Sequence, residues 1–330
     1  MEHIAIDWGG RESQICVRSA DEQIVESRRV RTARLGEYLA LRPPSRVIIE
    51  TCTQAFSIAD QARACGHDVR VVPSTLAPAL GVGERRTKTD RRDAEALSRA
   101  SCRLDLRSVH IPSVEARERK AICASRDALL RARTLLINSV RAWLRSDGRT
   151  VRATPENLPS RVRTSCVGRP SHVEALLTTL DALNTQLGAA DRELRLLARN
   201  DELCRRLMTV PGVGPVTAVR FKAALDDISR FTNAHAVESY LGLVPGEHSS
   251  SSSQHRLGIT KAGPRALRAC LVQAAWAARR SKREPLMAQW SREVEKRRGK
   301  HVAVVALARK LAGILFAVWR DGTEYDQQRA

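Results

Sequence analysis

The sequence predicts an α/β domain followed by a mostly all-α region. Three patterns in the 330 residues carry that expectation. Short apolar runs bounded by Gly and Pro are confined to about the first 110 residues. Helical periodicity of three and four dominates everything after them. Between the two regions the order of elements, β-β-β-α-β-α-β-α, indicates a mixed sheet covered by helices.

His3-Ile4-Ala5-Ile6-Asp7-Trp8 reads as the first strand, turned by Gly9-Gly10. Gln14 to Arg18 and Gln23 to Val30 follow at hairpin spacing. Arg34 to Leu41 is helical and stops before Pro43-Pro44. Val47-Ile48-Ile49-Glu50 is a buried strand, Gln54 to Cys65 a helix ended by Gly66, and Asp68 to Val72 a fifth strand stopped by Pro73. A further helix runs from about Thr89 to Arg103. Beyond it, a long helix spans Val114 to Arg145, carrying Leu129, Leu136, Val140 and Trp143 on one side. After the Pro- and Arg-bearing stretch from Gly148 to Pro170, Leu176, Leu180, Leu183, Leu187, Ala190, Leu194 and Leu197 step by four and three. That heptad seam predicts either a helix packed within its own domain or a coiled-coil arm, folded back or shared between subunits. The expected division is 1–110 for the mixed-sheet domain, 111–200 for the helical coiled-coil region and 201–330 for a mostly helical C-terminal domain.

Lys and Arg number 56 against 36 Asp and Glu, a formal net charge of +20. With 43% hydrophobic and 28% charged residues, a disordered chain is excluded. The positive excess favours a polyanionic partner, nucleic acid before an acidic membrane. The eight cysteines include no C-x-x-C pair, so neither a structural zinc site nor a disulfide framework has support. The N-terminus lacks the basic-then-apolar pattern of a signal peptide. The apolar stretch Val302 to Trp319 is broken by Arg309 and Lys310. A reduced, soluble, cytoplasmic protein without a membrane partner is expected, associated with the nucleoid when bound to DNA.

Four carboxylates have the placement of a metal site. Asp7 and Glu50 each end an apolar strand, where a carboxylate is costly to bury without a cation or donor. If those strands are neighbours, both acids emerge at one end of the sheet. Asp90 and Asp93 are i and i+3 and share a helix face. On a ribonuclease H-like order of elements, two strand acids and two helix acids can converge on two hard divalent ions such as Mg²⁺. Such a centre cleaves or transfers phosphodiesters. Taken singly, a strand-end Asp is more often a cap, and D-x-x-D on an Arg-rich helix a solvated salt-bridge face. Asp7-Trp8-Gly9-Gly10 also resembles the phosphate turn of actin-like and sugar-kinase ATPases, but the second such loop and second copy of the fold are missing from the sequence.

Val210-Pro211-Gly212-Val213-Gly214-Pro215 has the form of a helix-hairpin-helix turn. Gly212 and Gly214 allow the tight turn, and the amides opening the next helix can face a phosphate. A plain helix connection uses the same residues. Further on, Ser249 to Ser253 form a serine run inside a polar loop from Pro245 to Gly258. By composition this is a flexible linker. Its neighbours His248, His255, Arg256 and Lys261 could instead hold a phosphate and polarise a hydroxyl.

Ile6-Asp7, Ile49-Glu50-Thr51, Lys88-Thr89-Asp90-Arg91-Arg92-Asp93-Ala94, Pro211-Gly212-Val213-Gly214, Gly242-Leu243-Val244-Pro245 and Ile259-Thr260-Lys261-Ala262-Gly263 followed by Leu267-Arg268 together resemble the DEDD transposases of the insertion-sequence-110 type, relatives of Piv-type invertases. The resemblance runs nearly end to end. It implies a RuvC-like, ribonuclease H-fold N-terminal domain, a coiled-coil region and a C-terminal transposase domain. The acidic tetrad carries over to Asp7, Glu50, Asp90 and Asp93. The family's serine nucleophile carries over to Ser250, with Ser251 and Ser252 standing where the family has glycines, and Ser249 and Ser251 as neighbours in register. Implied as well are metal-assisted cutting and rejoining of donor and target DNA through a phosphoserine link, a structured bridge RNA as guide, and assembly as a dimer or tetramer. Two rivals use the same residues differently. A hydrolytic Holliday-junction resolvase-like nuclease needs the four acids and no serine, and a non-enzymatic basic scaffold would bind nucleic acid through the helix-hairpin-helix, with the acids as salt-bridge partners.

Overall fold

The computed structural model describes residues 1–76, 78–80, 89–250, 253–281 and 285–326, with backbone alone for 248–250, 253–256 and 285. Its contacts divide the chain into two compact units, Met1–Pro112 and Ser113–Ala330.

The first unit is built on β1 (His3–Asp7), β2 (Glu12–Arg18), β3 (Ile24–Arg31), α1 (Leu35–Ala40), β4 (Arg46–Glu50), α2 (Ala55–Ala64), β5 (Asp68–Val72) and α3 (Asp90–Arg103). The five strands form one mixed sheet in the order β3-β2-β1-β4-β5. β1, β2 and β3 are an antiparallel meander, while β4 and β5 run parallel to β1. Alternation sorts the two faces. Ile4, Ile6, Val47 and Ile49 join Leu39, Ile58 and Ala62 in one core beneath α1 and α2. Ala5 and Ile48 point the other way, packing with Leu97 and Ala100 of α3 respectively. The expected mixed sheet between helices is present, and it is consistent with a ribonuclease H-like fold. β2 begins two residues earlier than its apolar run because Glu12 and Ser13 pair with Arg31 and Val30.

The second unit contains α4 (Val114–Ser146), α5 (Leu158–Ser165), α6 (Ser171–Asn200), α7 (Glu202–Leu207), α8 (Pro215–Leu225), α9 (Ala234–Tyr240), β6 (Pro245–Ser250), β7 (Ser253–Ile259), α10 (Arg265–Ala278), α11 (Pro285–Arg298) and α12 (Lys300–Asp321). α4 and α6 lie antiparallel. Arg119 meets Asp201 at 2.7 Å, Arg126 meets Asp191 at 2.6 Å and Arg133 meets Asn184 at 3.4 Å, so numbers rise on one helix as they fall on the other. The fully buried column of α6 is Val173, Leu177, Leu180, Leu187, Leu194 and Ala198; three of these belong to the heptad seam, whose other four members are half-buried. The column shifts because α6 packs on α5 at one end and on α7 and α8 at the other. α5 falls within the stretch that the sequence leaves irregular.

The remaining helices close one core around α12, whose Leu307, Leu311 and Leu315 are fully buried. α12 is long and apolar enough to cross a membrane, and half of that apolar stretch is buried against its own unit. All eight cysteines are free thiols.

The polar loop expected from Pro245 to Gly258 is instead a β-ribbon. β6 and β7 pair antiparallel, from Pro245 opposite Ile259 to Ser250 opposite Ser253. Serine has little strand preference, so composition gives no sign of a ribbon that is started by its anchored root.

Candidate catalytic and nucleic-acid sites

Asp7 and Glu50 are the last residues of β1 and β4. The parallel register sets Ile6 beside Ile49, so the two acids leave adjacent strands at the same end, about 4.8 Å apart. Both belong to the alternation of Ala5 and Ile48 and thus to the α3 face.

α3 brings the other two. Its Thr89 cap accepts a hydrogen bond from the Arg92 amide, and its docking can be followed level by level. Ser101 Oγ lies 2.7 Å from His3 Nδ1 at the start of β1. One turn back, Leu97 packs on Ala5, and Ser98 Oγ donates to Cys16 Sγ, the cross-strand neighbour of Ala5. Four helical residues rise about 6 Å and two strand residues about 6.6 Å, so the next step pairs Asp93 with the level of Asp7. Asp93 is 4% exposed and lies on the sheet-facing side. Asp90, one turn further, is mostly exposed and reaches Arg29 Nη2 at 3.8 Å, and Arg29 lies across β2 from Asp7.

The fold therefore delivers Asp7, Glu50 and Asp93 to one end of one sheet face, with Asp90 at its rim. Among the described residues no three His, Cys, Asp or Glu side chains stand close enough to hold one metal ion. The donor chemistry is nonetheless that of a hard divalent cation, since all four are carboxylates. The Arg29–Asp90 pair is solvent-exposed on both sides, a type of contact worth only about 0–1 kcal/mol and easily exchanged. Sequence reasoning missed how α3 is fixed. Buried Arg18 donates through Nε to Ser98 Oγ at 3.0 Å, and burial, with Arg46 and the amino terminus nearby, lowers the His3 imidazole from its ordinary value. A serine pair at i and i+3 within a helix that faces apolar strands is the available signal.

The glycine turn at 211–214 joins α7 to α8. A Cβ on Gly212 would stand 2.2 Å from the Ala274 carbonyl oxygen of α10, so this glycine serves close packing inside the unit. Gly214 caps α8, with Pro215 as its first residue, and a Cβ there would meet nothing within 4 Å. The plain helix connection accounts for Gly212, and Gly214 leaves the start of α8 open.

The root of the β6–β7 ribbon is clasped backbone to backbone. Gly242 has φ +66° and its Cβ would stand 2.4 Å from Ala262 N, while a Cβ on Gly263 would be 1.9 Å from the Tyr240 carbonyl oxygen. The Thr260 amide donates to Val244 O at 2.9 Å and the Lys261 amide to Gly242 O at 3.1 Å. Arg268 crosses both segments, donating to Leu241 O at 2.9 Å and Ala262 O at 2.7 Å. The two blocks G-L-V-P and I-T-K-A-G are thus one structural device. Lys261 is exposed, with a left-handed φ of +58°. Ser250 ends β6 at the far end of the ribbon. The Ser250 and Arg256 side chains, and Ser251 and Ser252 altogether, lie outside the described residues.

Against known proteins, a DEDD-type model for IS110 elements described as "Transposase" matches residues 4–146, and a model described as "Transposase IS116/IS110/IS902 family" matches residues 204–291. The first match contains all four acids, the second the glycine turn and the clasped ribbon. A transposase for insertion sequence element IS1111A from Coxiella burnetii is 30% identical over 326 residues, covering 96% of this chain and 88% of its own. A probable family 20 transposase from Pseudomonas aeruginosa is 30% identical, covering 98% of each chain. A pilin gene-inverting protein of Moraxella bovis is 31% identical over 123 residues, 37% of this chain and 38% of its own. With sheet, acids, turn and ribbon all inside matched segments, the chain belongs to the IS116/IS110/IS902 family of transposases.

Proposed function

We propose that this DNA transposase cuts and rejoins DNA through a serine at the ribbon tip, assisted by divalent metal held at the sheet end. The observation that carries the first half is the clasp. Two glycines, a lysine in left-handed conformation and Arg268 fasten the root of a ribbon whose strands end at Ser250 and resume at Ser253. The second half is supported by the register that makes Asp7 and Glu50 neighbours and by the depth of Asp93.

Asp7, Glu50, Asp90 and Asp93 would hold magnesium, one or two ions. Bound metal would supply positive charge to the non-bridging phosphate oxygens. Ser250 Oγ forms a bond to phosphorus as the bond to the 3′ oxygen breaks. Its proton passes through water to that leaving oxygen, and a 5′ phosphoserine link remains. The link retains the energy needed for rejoining, so no nucleotide triphosphate is consumed. Arg256 within β7 and Lys261 just beyond it would balance phosphate charge, and the opening of α8 after Gly214 would meet a backbone phosphate. A bridge RNA pairing with donor and target would leave sequence choice to base pairing, a division of labour that suits a protein of +20 net charge. Strand exchange calls for a dimer or tetramer, and the chain would work in the cytoplasm on nucleoid DNA.

The test is a suicide substrate that traps covalent intermediates. The native chain should form a protein–DNA adduct, lost in Ser250→Ala and kept in Ser249→Ala and Ser251→Ala. An adduct that survives Ser250→Ala moves the nucleophile to a neighbour. Cleavage without any adduct in the native chain replaces this reading with the hydrolytic resolvase. Asp7→Ala should lower cutting by more than about 100-fold, because losing even an outer-shell partner of a metal costs 10–100-fold, while DNA binding persists.

A further inference from the structure

We infer that the tip of the α4–α6 hairpin carries a second nucleic-acid site, an arginine-lined cleft that grips the phosphodiester backbone of a double helix. The inference rests on the DNA-acting reading above and adds to it a further place of contact on the helical unit.

The cleft measures about 390 Å³ and is built by a reversal of the chain. α4 ends at Ser146, and the Arg149 amide donates back to Leu144 O at 2.8 Å. That bond lays residues 149–152 across the last turns of the helix. Arg141 and Arg145, one turn apart, form one wall, and Arg149 and Arg152 form the other. Leu144, 2% exposed, and half-buried Val151 make the floor, and both pack into the small core shared with α5 and α6. The cleft therefore has a fixed base, with four guanidinium groups around it.

Charge use separates these arginines from their neighbours. On the same hairpin Arg126 pairs with Asp191, Arg133 with Glu156, Arg163 with Glu174 and Asp181, and Arg169 with Glu174. In the cleft only Arg149 has such a partner, Asp147 at 2.9 Å. No ion pair among the described residues includes Arg141, Arg145 or Arg152, and all three are exposed. Residues 141–169 hold seven arginines and two acids.

Guanidinium forks match phosphate oxygens in pairs and keep their charge at any working pH. None of the residues lining the cleft is aromatic, so it offers no platform for an unstacked base. Backbone contact without sequence reading follows. The site is a positioning contact, because its arginines supply charge and hydrogen bonds but neither a nucleophile nor a metal ligand.

The test uses the full chain and two probes, a duplex DNA and an RNA hairpin of equal helix length, titrated over a salt series. Arg141→Gln, Arg145→Gln and Arg152→Gln are combined in one variant. Arg192→Gln, Arg195→Gln and Arg199→Gln on exposed positions of α6 give a control of equal charge loss. The first variant should bind about tenfold or more weakly, and its slope of log K against log salt should be shallower by about 3, near 0.9 per lost phosphate contact. A change with DNA alone, RNA alone or both identifies the source of the backbone. An unchanged slope with both probes, or an equal loss in the control, overturns the cleft while leaving the transposase reading intact. Failure of the native chain to bind either probe overturns both.

Discussion

In the sheet unit, Asp7 and Glu50 follow directly on Ile6 and Ile49, both fully buried, and Asp93 lies one turn from buried Leu97. In the helical unit, Ser250 ends a strand that leaves its core at Val244 and Pro245. The acids are held by side-chain packing at the point where they leave the sheet. The serine ribbon is held at its root, chiefly by close backbone contacts and the Arg268 guanidinium. The difference teaches how each element tolerates change. Packing spreads its cost over many contacts, whereas a backbone clasp concentrates it on a few atoms for which no substitute exists.

The sharpest way to break this contrast is Gly263→Ala. A methyl group 1.9 Å from the Tyr240 carbonyl oxygen, on a backbone of φ +65°, should destabilise the helical unit by about 4 kcal/mol or more. Hydrogen exchange should rise throughout 113–330 and stay unchanged in 1–112. Leu97→Ala comes next, about 3 kcal/mol for a fully buried leucine. Its exchange signature should be the reverse, confined to 1–112. If both variants loosen both units equally, the division in two fails.

Asp201 sharpens the comparison inside the helical unit. It caps α7 through the Cys204 amide and binds Arg119 of α4 at 2.7 Å and Lys222 of α8 at 2.5 Å. Burial alone would raise its carboxyl, but those bonds together hold it well below the usual carboxylate range. A depressed carboxyl stabilises the fold at pH values above that of the unfolded chain, near 3.9, and the gain is lost as pH falls from there toward the folded value. Asp201→Asn should cost about 2 kcal/mol at neutral pH, and less as the pH drops below about 4. Chemical denaturation at several pH values checks this. An equal cost at every pH would remove the charge from the account.

Much of the sheet unit was legible because its strands alternate and its glycines and prolines stop them. Thr89 marked the start of α3, and Ile6-Asp7 and Ile49-Glu50 marked acids leaving buried strands. The level of Asp93 was not legible, since it depends on Ser98 and Ser101 meeting Cys16 and His3 from more than 80 residues away. In the helical unit the sequence carried the helices and a seam of α6 that is buried or half-buried throughout, but not Val173, Leu177 and Ala198 beside it, because the neighbours of α6 change along its length. The ribbon was hidden because five serines have no periodicity to read. Only the glycines on either side hinted at it, and their role appears once Gly242 meets Ala262 and Gly263 meets Tyr240.

The clasp also sets how far the serine can travel. With its foot pinned on two sides, any swing of the ribbon must come from beyond the clasp, from the irregular register between Pro245 and Glu247 outward. Five residues beyond Pro245, at about 3.3 Å each, give a lever of about 17 Å. The ribbon end then explores an arc rather than a volume, and a nucleophile carried there, as proposed, would return repeatedly to the same scissile bond.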